Sequence, residues 1–151
     1  GCIGCYNKKK SYREKRMKDS LVAGISTTAN ISIDSDRTIA FMGNEGRVYA
    51  TPSMVLDIEY IARDWLMEYL DEGEDTVGTH VSVDHIGATV EGDKVEITIT
   101  VKEVQGRAII MTAHVKDSIE DVGIGAHNRF VVDKSKTFAR LEEKRAKIEA
   151  L

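Results

Sequence analysis

Between Met54 and Leu70 the apolar residues Met54, Ile58, Ile61, Ala62, Trp65, Leu66 and Tyr69 recur at intervals of three and four, the spacing of one helix face. Val55 widens that stripe, so the pattern predicts a largely buried helix near residues 53–71 rather than one lying on the surface. Gly73 suits its C-terminal exit. The period then changes from 3.6 to 2. Val95, Ile97, Ile99 and Val101 alternate with Glu96, Thr98, Thr100 and Lys102, which gives a strand one wet face and one buried face. Gln105-Gly106 predicts a tight turn and Ala108 to Val115 the returning strand; after a turn at Asp117-Ser118, Val122 to Val132 forms the last long strand. Upstream, Ala29 to Asp34 alternates as a first strand and Gly43-Asn44-Glu45-Gly46 marks a loop. Gly78 to His85 reads as an extended segment, and Lys136 to Ala150 as a charged terminal helix whose sparse apolar contacts are Phe138, Leu141, Ile148 and Leu151. One buried helix against a long antiparallel meander is an α+β layer arrangement.

A chain of 151 residues makes one domain, large enough to bury about 68–70% of its unfolded surface. No apolar run approaches the roughly 18 residues of a membrane span. A net charge of −4 leaves no electrostatic footprint for nucleic acid. The basic runs lie at the two ends and read as solvated termini. Residues 1–16 are set apart as a basic tail or upstream segment, ahead of a domain over 17–151. In that tail Cys2 and Cys5 form C-x-x-C, but structural zinc needs four ligands and nothing nearby supplies the rest. Reduced thiols fit a cytoplasmic protein.

Four side chains and one glycine carry candidate chemistry. His85 follows Val81 and Val83 by even offsets and shares their face of the strand; an imidazole there can take and return a proton near neutral pH. Glu59 sits on the same helical turn as Ile58 and Ala62, where partial burial would suit a base. Thr51 precedes Pro52 and makes a good helix N-cap. The structural alternatives are a core histidine, a rim-facing acid, that cap, a strand-opening glycine at Gly78 and a surface salt bridge at Arg129. Taken together, a hydroxyl, a carboxylate, an imidazole and an approachable backbone N–H are what acyl transfer needs. Eight residues separate Thr51 from Glu59, about 12 Å of helical rise. Either the helix starts nearer Ser53 with Thr51 folded back, or substrate and His85 bridge the gap. His80, His114 and His127 read as structural, and no pair of histidines shows metal spacing.

The ordered set runs Tyr49-Ala50-Thr51, Met54, Glu59, Leu70-Asp71-Glu72-Gly73-Glu74, Val77-Gly78-Thr79 and Val83-Asp84-His85-Ile86-Gly87-Ala88-Thr89. It continues through Val104-Gln105-Gly106-Arg107 and Gly123-Ile124-Gly125-Ala126-His127-Asn128-Arg129. This set resembles the hotdog-fold thioesterases, most closely their fluoroacetyl-CoA thioesterase branch, over roughly residues 17–145. The resemblance implies a hotdog fold, in which an antiparallel sheet wraps a long central helix, and a homodimer paired edge to edge with the acyl site at its interface. It implies hydrolysis of a short or medium acyl-CoA thioester to acid and CoA, with no metal and no cofactor beyond the CoA of the substrate.

In that scheme Thr51, Glu59 and His85 are catalytic. Glu59 is the nucleophile or the base for water, while Thr51 and His85 orient the thioester and move protons. Gly78 offers its N–H to the oxyanion, and Arg129 positions substrate through pantetheine or phosphates. Two departures point away from a fluorinated acyl group and toward a more general one. The polar Gly43-Asn44-Glu45-Gly46-Arg47 stands where those enzymes carry lid phenylalanines, and Pro52 stands where they have glycine. A hotdog hydratase or dehydratase acting on the acyl chain, and a non-catalytic acyl-CoA-binding or sensing module, are the rival implications.

Overall fold

The alternation seen from residue 94 onward becomes three long antiparallel strands in the computed structural model, which describes residues 17–151. The tail set apart above, with Cys2 and Cys5, lies outside the described residues. Strands β1 (Ser26–Ser32), β4 (Glu74–His85), β5 (Lys94–Gln105), β6 (Ala108–Lys116) and β7 (Asp121–Asp133) form one sheet in the order β1-β5-β6-β7-β4. Every pairing in it is antiparallel. A small ribbon of β2 (Thr38–Ile39) and β3 (Val48–Tyr49) leads into the central helix, Thr51–Leu66. The loop expected at Gly43–Gly46 caps that ribbon. The ribbon itself was too short for any periodicity to show.

Pro52 lies in the first turn of the central helix, where its fixed φ fits and its missing N–H costs nothing. Met54, Ile58, Ala62 and Leu66 follow at four-residue spacing and are at most 1% exposed. They meet Val95, Ile97, Ile99 and Val101 of β5 and Ile109, Met111 and Val115 of β6, all equally dry. Each large side chain sealed this way contributes about 1.5–3 kcal/mol. Ile58→Ala would cost about 2–5 kcal/mol by leaving a hole between helix and sheet. Trp65 is only half-buried and leans edge-on against Tyr69, their ring centroids 5.9 Å apart. A 3-10 turn at Met67–Tyr69 ends the helix, and Gly73 takes φ +86 just beyond. The antiparallel sheet wrapped on a long helix is the expected α+β hotdog architecture.

Three expectations are corrected. First, β1 spans Ser26–Ser32, earlier than the alternation suggested; Ile33 keeps the inward parity at 1% exposed but bonds to Asp93 and Gly92 beyond the strand. Second, β4 begins at Glu74 rather than Gly78. Glu74 is buried beside Arg107, and its carboxylate accepts from the Asp71 N–H, which fixes the start of the strand. Third, the C-terminal helix, Lys134–Glu149, is capped by Asp133, but Phe138, Leu141, Ile148 and Leu151 are all exposed and add nothing to the core.

β4 is an edge strand, and its register on β7 slips between Gly78 and His80. Thr79 is the extra residue, its hydroxyl donating to the Asn128 carbonyl. A bulge of this kind shifts the alternation by one. As a result Thr76 and Gly78 before it, and Val81, Val83 and His85 after it, all face the helix. Gly125 holds the two strands together from the other side. A Cβ there would lie 2.2 Å from the Ser82 carbonyl oxygen, a backbone clash no rotamer can relieve.

Candidate active site

The expected reacting groups gather at two places along the central helix. At its N-terminal end, Thr51 Oγ1 lies 2.7 Å from His85 Nδ1. The helix starts at Thr51 itself with Ala50 as N-cap, and no side chain caps it. The capping role expected of Thr51 is therefore not taken up. Its hydroxyl is spent on the histidine instead. With Nδ1 as acceptor, Thr51 donates and Nε2 keeps the ring proton; with Nδ1–H as donor, Thr51 is free to donate its own hydrogen to a carbonyl. Nε2 is buried and has no hydrogen-bond partner among the described residues. Burial pushes the imidazole below its usual range, and the Gly87 backbone pulls the other way. A neutral ring is what a proton acceptor requires.

This pair opens into a cavity of about 440 Å³ lined by Tyr49, Ala50, Ile86, Gly87 and Phe41 among others. Phe41 is 89% exposed. Gly43–Arg47 is polar, as the sequence shows, but an aromatic residue stands at the mouth two positions earlier. Tyr49 forms the inner wall, its ring edge-on to His85 with centroids 6.3 Å apart.

Two helical turns on, Glu59 is half-buried and faces Gly78 and β7. A Cβ placed on Gly78 would stand 3.7 Å from Glu59 Oε1, 3.5 Å from His127 Cε1 and 3.4 Å from Arg129 Nη1. Glycine thus leaves a small space bounded by a carboxylate, an imidazole and a guanidinium. Arg129 is 8% exposed. Its Nε donates to Thr76 Oγ1 at 2.7 Å, its Nη2 to the Thr76 carbonyl at 2.8 Å, and its Nη1 meets His127 Nε2 at 3.2 Å. Burial lowers its basicity, opposed chiefly by Glu59. This is no surface salt bridge: the guanidinium is held from within β4 and β7 and lines the neighbouring cavity. A cavity of about 350 Å³ opens onto the cluster between Leu56, Tyr60, Arg63 and Asp75.

His127, read from sequence as structural and without partners, belongs to this cluster. It is fully buried, and its Nδ1 lies 2.8 Å from the His80 carbonyl. A carbonyl only accepts, so Nδ1 carries the proton and Nε2 accepts from Arg129. Burial, ahead of every other cause, holds this ring below its usual range, so it is neutral. The signal that could have found it is its even offset from Arg129 on the same strand, which puts both on one face. His80 and His114 are exposed or half-exposed; His114 meets Asp121 at the surface. Among the described residues no group of three or more His, Cys, Asp or Glu could hold a metal ion, and no helix is long and apolar enough to cross a membrane.

Against known proteins, a family model described as fluoroacetyl-CoA-specific thioesterase matches residues 33–135. The fluoroacetyl-CoA thioesterase of Streptantibioticus cattleyicolor is 28% identical over 135 residues, which cover 85% of this chain and 97% of that protein. A solved structure of the fluoroacetyl-CoA thioesterase FlK superposes with a TM-score of 0.75 at 27% identity, over 83% of this chain and 98% of that one. A thioesterase superfamily member from Thermus thermophilus shares the fold, with a TM-score of 0.78 at 22% identity over 85% of this chain and 96% of its own. The chain belongs to the fluoroacetyl-CoA-specific thioesterase family, and its chemistry is thioester hydrolysis.

Proposed function

We propose that this family member hydrolyses a short or medium acyl-CoA thioester to acid and CoA, as a homodimer whose two halves each supply part of every site. The supporting observation is a separation within one chain. Thr51 and Glu59 are about 12 Å apart along the helix, and Gly78 and His85 lie roughly 20 Å apart along β4. No single thioester carbonyl can touch both ends. β4 is a free sheet edge, and unpaired edges in stable proteins are covered. Antiparallel pairing of β4 with the same strand of a second copy, about an axis near Val81 and Ser82, lays the His85 end of one protomer against the Gly78 end of its partner. Each composite site then holds Thr51 and His85 from one chain with Glu59, Gly78 and Arg129 from the other.

In that site Glu59 supplies the attack on the thioester carbonyl, as nucleophile or as base for water. The carbonyl oxygen gains charge as the bond forms and takes the Gly78 N–H. Thr51 and His85 orient the thioester, and the pair returns a proton to the departing CoA thiolate. Arg129, held by Thr76 and His127, keeps a positive charge facing Glu59. The polar Gly43–Arg47 loop and Pro52 favour a general acyl group over a fluorinated one, while Phe41 at the mouth weighs the other way. A cytoplasmic setting, where acyl-CoA thioesters are available, belongs to the same proposal.

The deciding experiment measures thiol release across a panel of acyl-CoAs, with acetyl-CoA beside fluoroacetyl-CoA, for wild type and Glu59→Gln. Hydrolysis of several members by the wild type and its collapse in the folded variant is the expected result. Wild-type turnover by Glu59→Gln removes Glu59 from the mechanism. Binding of acyl-CoA with no thiol released from any member points instead to a sensing module.

A further inference from the structure

Of the residues the central helix buries, Asp57 alone is charged. It accepts from the Tyr49 hydroxyl at 2.6 Å and from Arg37 through Nε at 3.1 Å and Nη2 at 3.2 Å. Arg37 is tied further. Its Nη1 reaches Asp34, and its own carbonyl accepts the Ala50 N–H at 2.9 Å. Tyr49 in turn donates its backbone N–H to the Thr89 carbonyl at 2.8 Å. These bonds join the loop before β2, the β3 strand and the helix into a closed frame around the backbone that presents Thr51. Burial first, and then the bond to Asp57, pushes the Tyr49 phenol far above its usual range, so it stays a donor. The other residues the helix buries, Met54, Ile58, Ala62 and Leu66, are all apolar.

We propose that Arg37, Asp57 and Tyr49 are positioning residues for the reacting pair: Asp57 anchors the Tyr49 hydroxyl, and the anchored ring holds the His85 imidazole against Thr51 and closes that side to water. The proposal rests on the reading of Thr51 and His85 as reacting groups. The geometry favours it because the Tyr49 ring stands edge-on to the imidazole, on the wall of the same cavity. Among the residues lining that cavity, from β2, the following loop, β3, the helix start and residues 85–88, Tyr49 is the only titratable side chain besides His85. No neighbouring charge competes with the ring for control of the imidazole. An aromatic ring tethered at its far end by a carboxylate keeps its orientation as substrate enters and leaves; a ring without that tether has only packing to hold it.

The test uses the full chain with Tyr49→Phe and Asp57→Asn, assayed for thiol release from the best acyl-CoA across pH, with thermal unfolding alongside. Loss of orientation should lower kcat about tenfold while KM stays within about twofold. Water admitted beside His85 should move the acid limb of kcat/KM upward, toward the ordinary imidazole value. The double variant Tyr49→Phe/Asp57→Leu removes the two buried polar partners together and leaves the part-exposed Arg37 to Asp34 and solvent, so it should fold yet keep the lower kcat and the shifted limb. A folded variant with wild-type kcat and acid limb overturns the proposal. So do losses that follow the unfolding temperature and vanish in the double variant. His85→Gln is assayed beside them. If it turns over normally, the reacting-pair reading falls and the network with it. If it is inactive while Tyr49→Phe and Asp57→Asn are unchanged, the network alone falls.

Discussion

The two ends of the central helix solve opposite problems. Around Thr51 and His85 the protein offers neutral groups, a cavity open toward Phe41, and a histidine nitrogen with no internal partner. Around Glu59 it gathers charge, and nearly every polar atom of Arg129 and His127 is answered from within. One end is unfinished, the other self-sufficient. The first can exchange protons with something that comes and goes. The second can hold a field steady without reorganising when charge develops. The proposed reaction draws on both, and the proposed dimer brings them together.

That contrast can be broken at several levels. The largest effect should come from removing either end: Glu59→Gln and His85→Gln should each lower turnover on the order of 10²–10⁴-fold, as loss of a proton-transfer group does. Folded variants with normal rates would dissolve the contrast altogether. Mixing the two inactive variants and letting subunits exchange is the sharper experiment. Half the resulting dimers would pair one of each, and each such dimer carries one intact composite site. About a quarter of wild-type activity should therefore return, given isologous two-fold pairing. Absence of any recovery after verified exchange would mean that each site is built within one chain.

A milder change separates the hydroxyl from its shape. Thr51→Ser keeps the donor to His85 and should cost only a few-fold, whereas Thr51→Val should approach the loss seen for His85→Gln. Equal losses would make Thr51 a matter of packing. The smallest effect concerns stability and pH at the charged end. Burial holds the folded His127 ring below the ordinary imidazole value of about 6.5, so the unfolded chain binds the proton more readily. Its contribution is thus fully present above about 6.5 and is lost as pH falls toward the folded value. His127→Gln should flatten the decline in unfolding temperature between neutral and mildly acidic pH, measured by calorimetry. An unchanged slope would show that another group carries it.

The sequence made some of this visible and hid the rest for physical reasons. The helix stripe from Met54 to Leu66 and the alternation in β5 stand out because both bury one regular face. His85 could be placed because it shares the parity of Val81 and Val83. Gly78 could not be placed on that same face by counting, since a bulge breaks the count without leaving a mark in residue type. Asp57 is hidden in the sequence for a related reason. Its buried position looks like an error in an apolar stripe until Arg37 and Tyr49, distant in sequence, are brought to it. Thr51 satisfied the local rule for a cap, yet the helix gave its hydroxyl to a strand residue 34 positions away. Arg129 and His127 share a face by their even offset, but their partners Thr76 and His80 came to them only once β7 had been laid against β4.

The bulge at Thr79 also sets what kind of change this strand can absorb. Its amino-acid identity matters little, since its hydroxyl bonds only to a neighbouring carbonyl; its presence matters a great deal. Deleting it would restore a regular pleat, and either Gly78 or the whole run from Val81 to His85 would then turn its back on the helix. Between these two residues the chain works as a spacer with an odd number of clicks. Substitutions at Thr79 should pass unnoticed in turnover, while the loss of one residue there should cost as much as losing His85 itself.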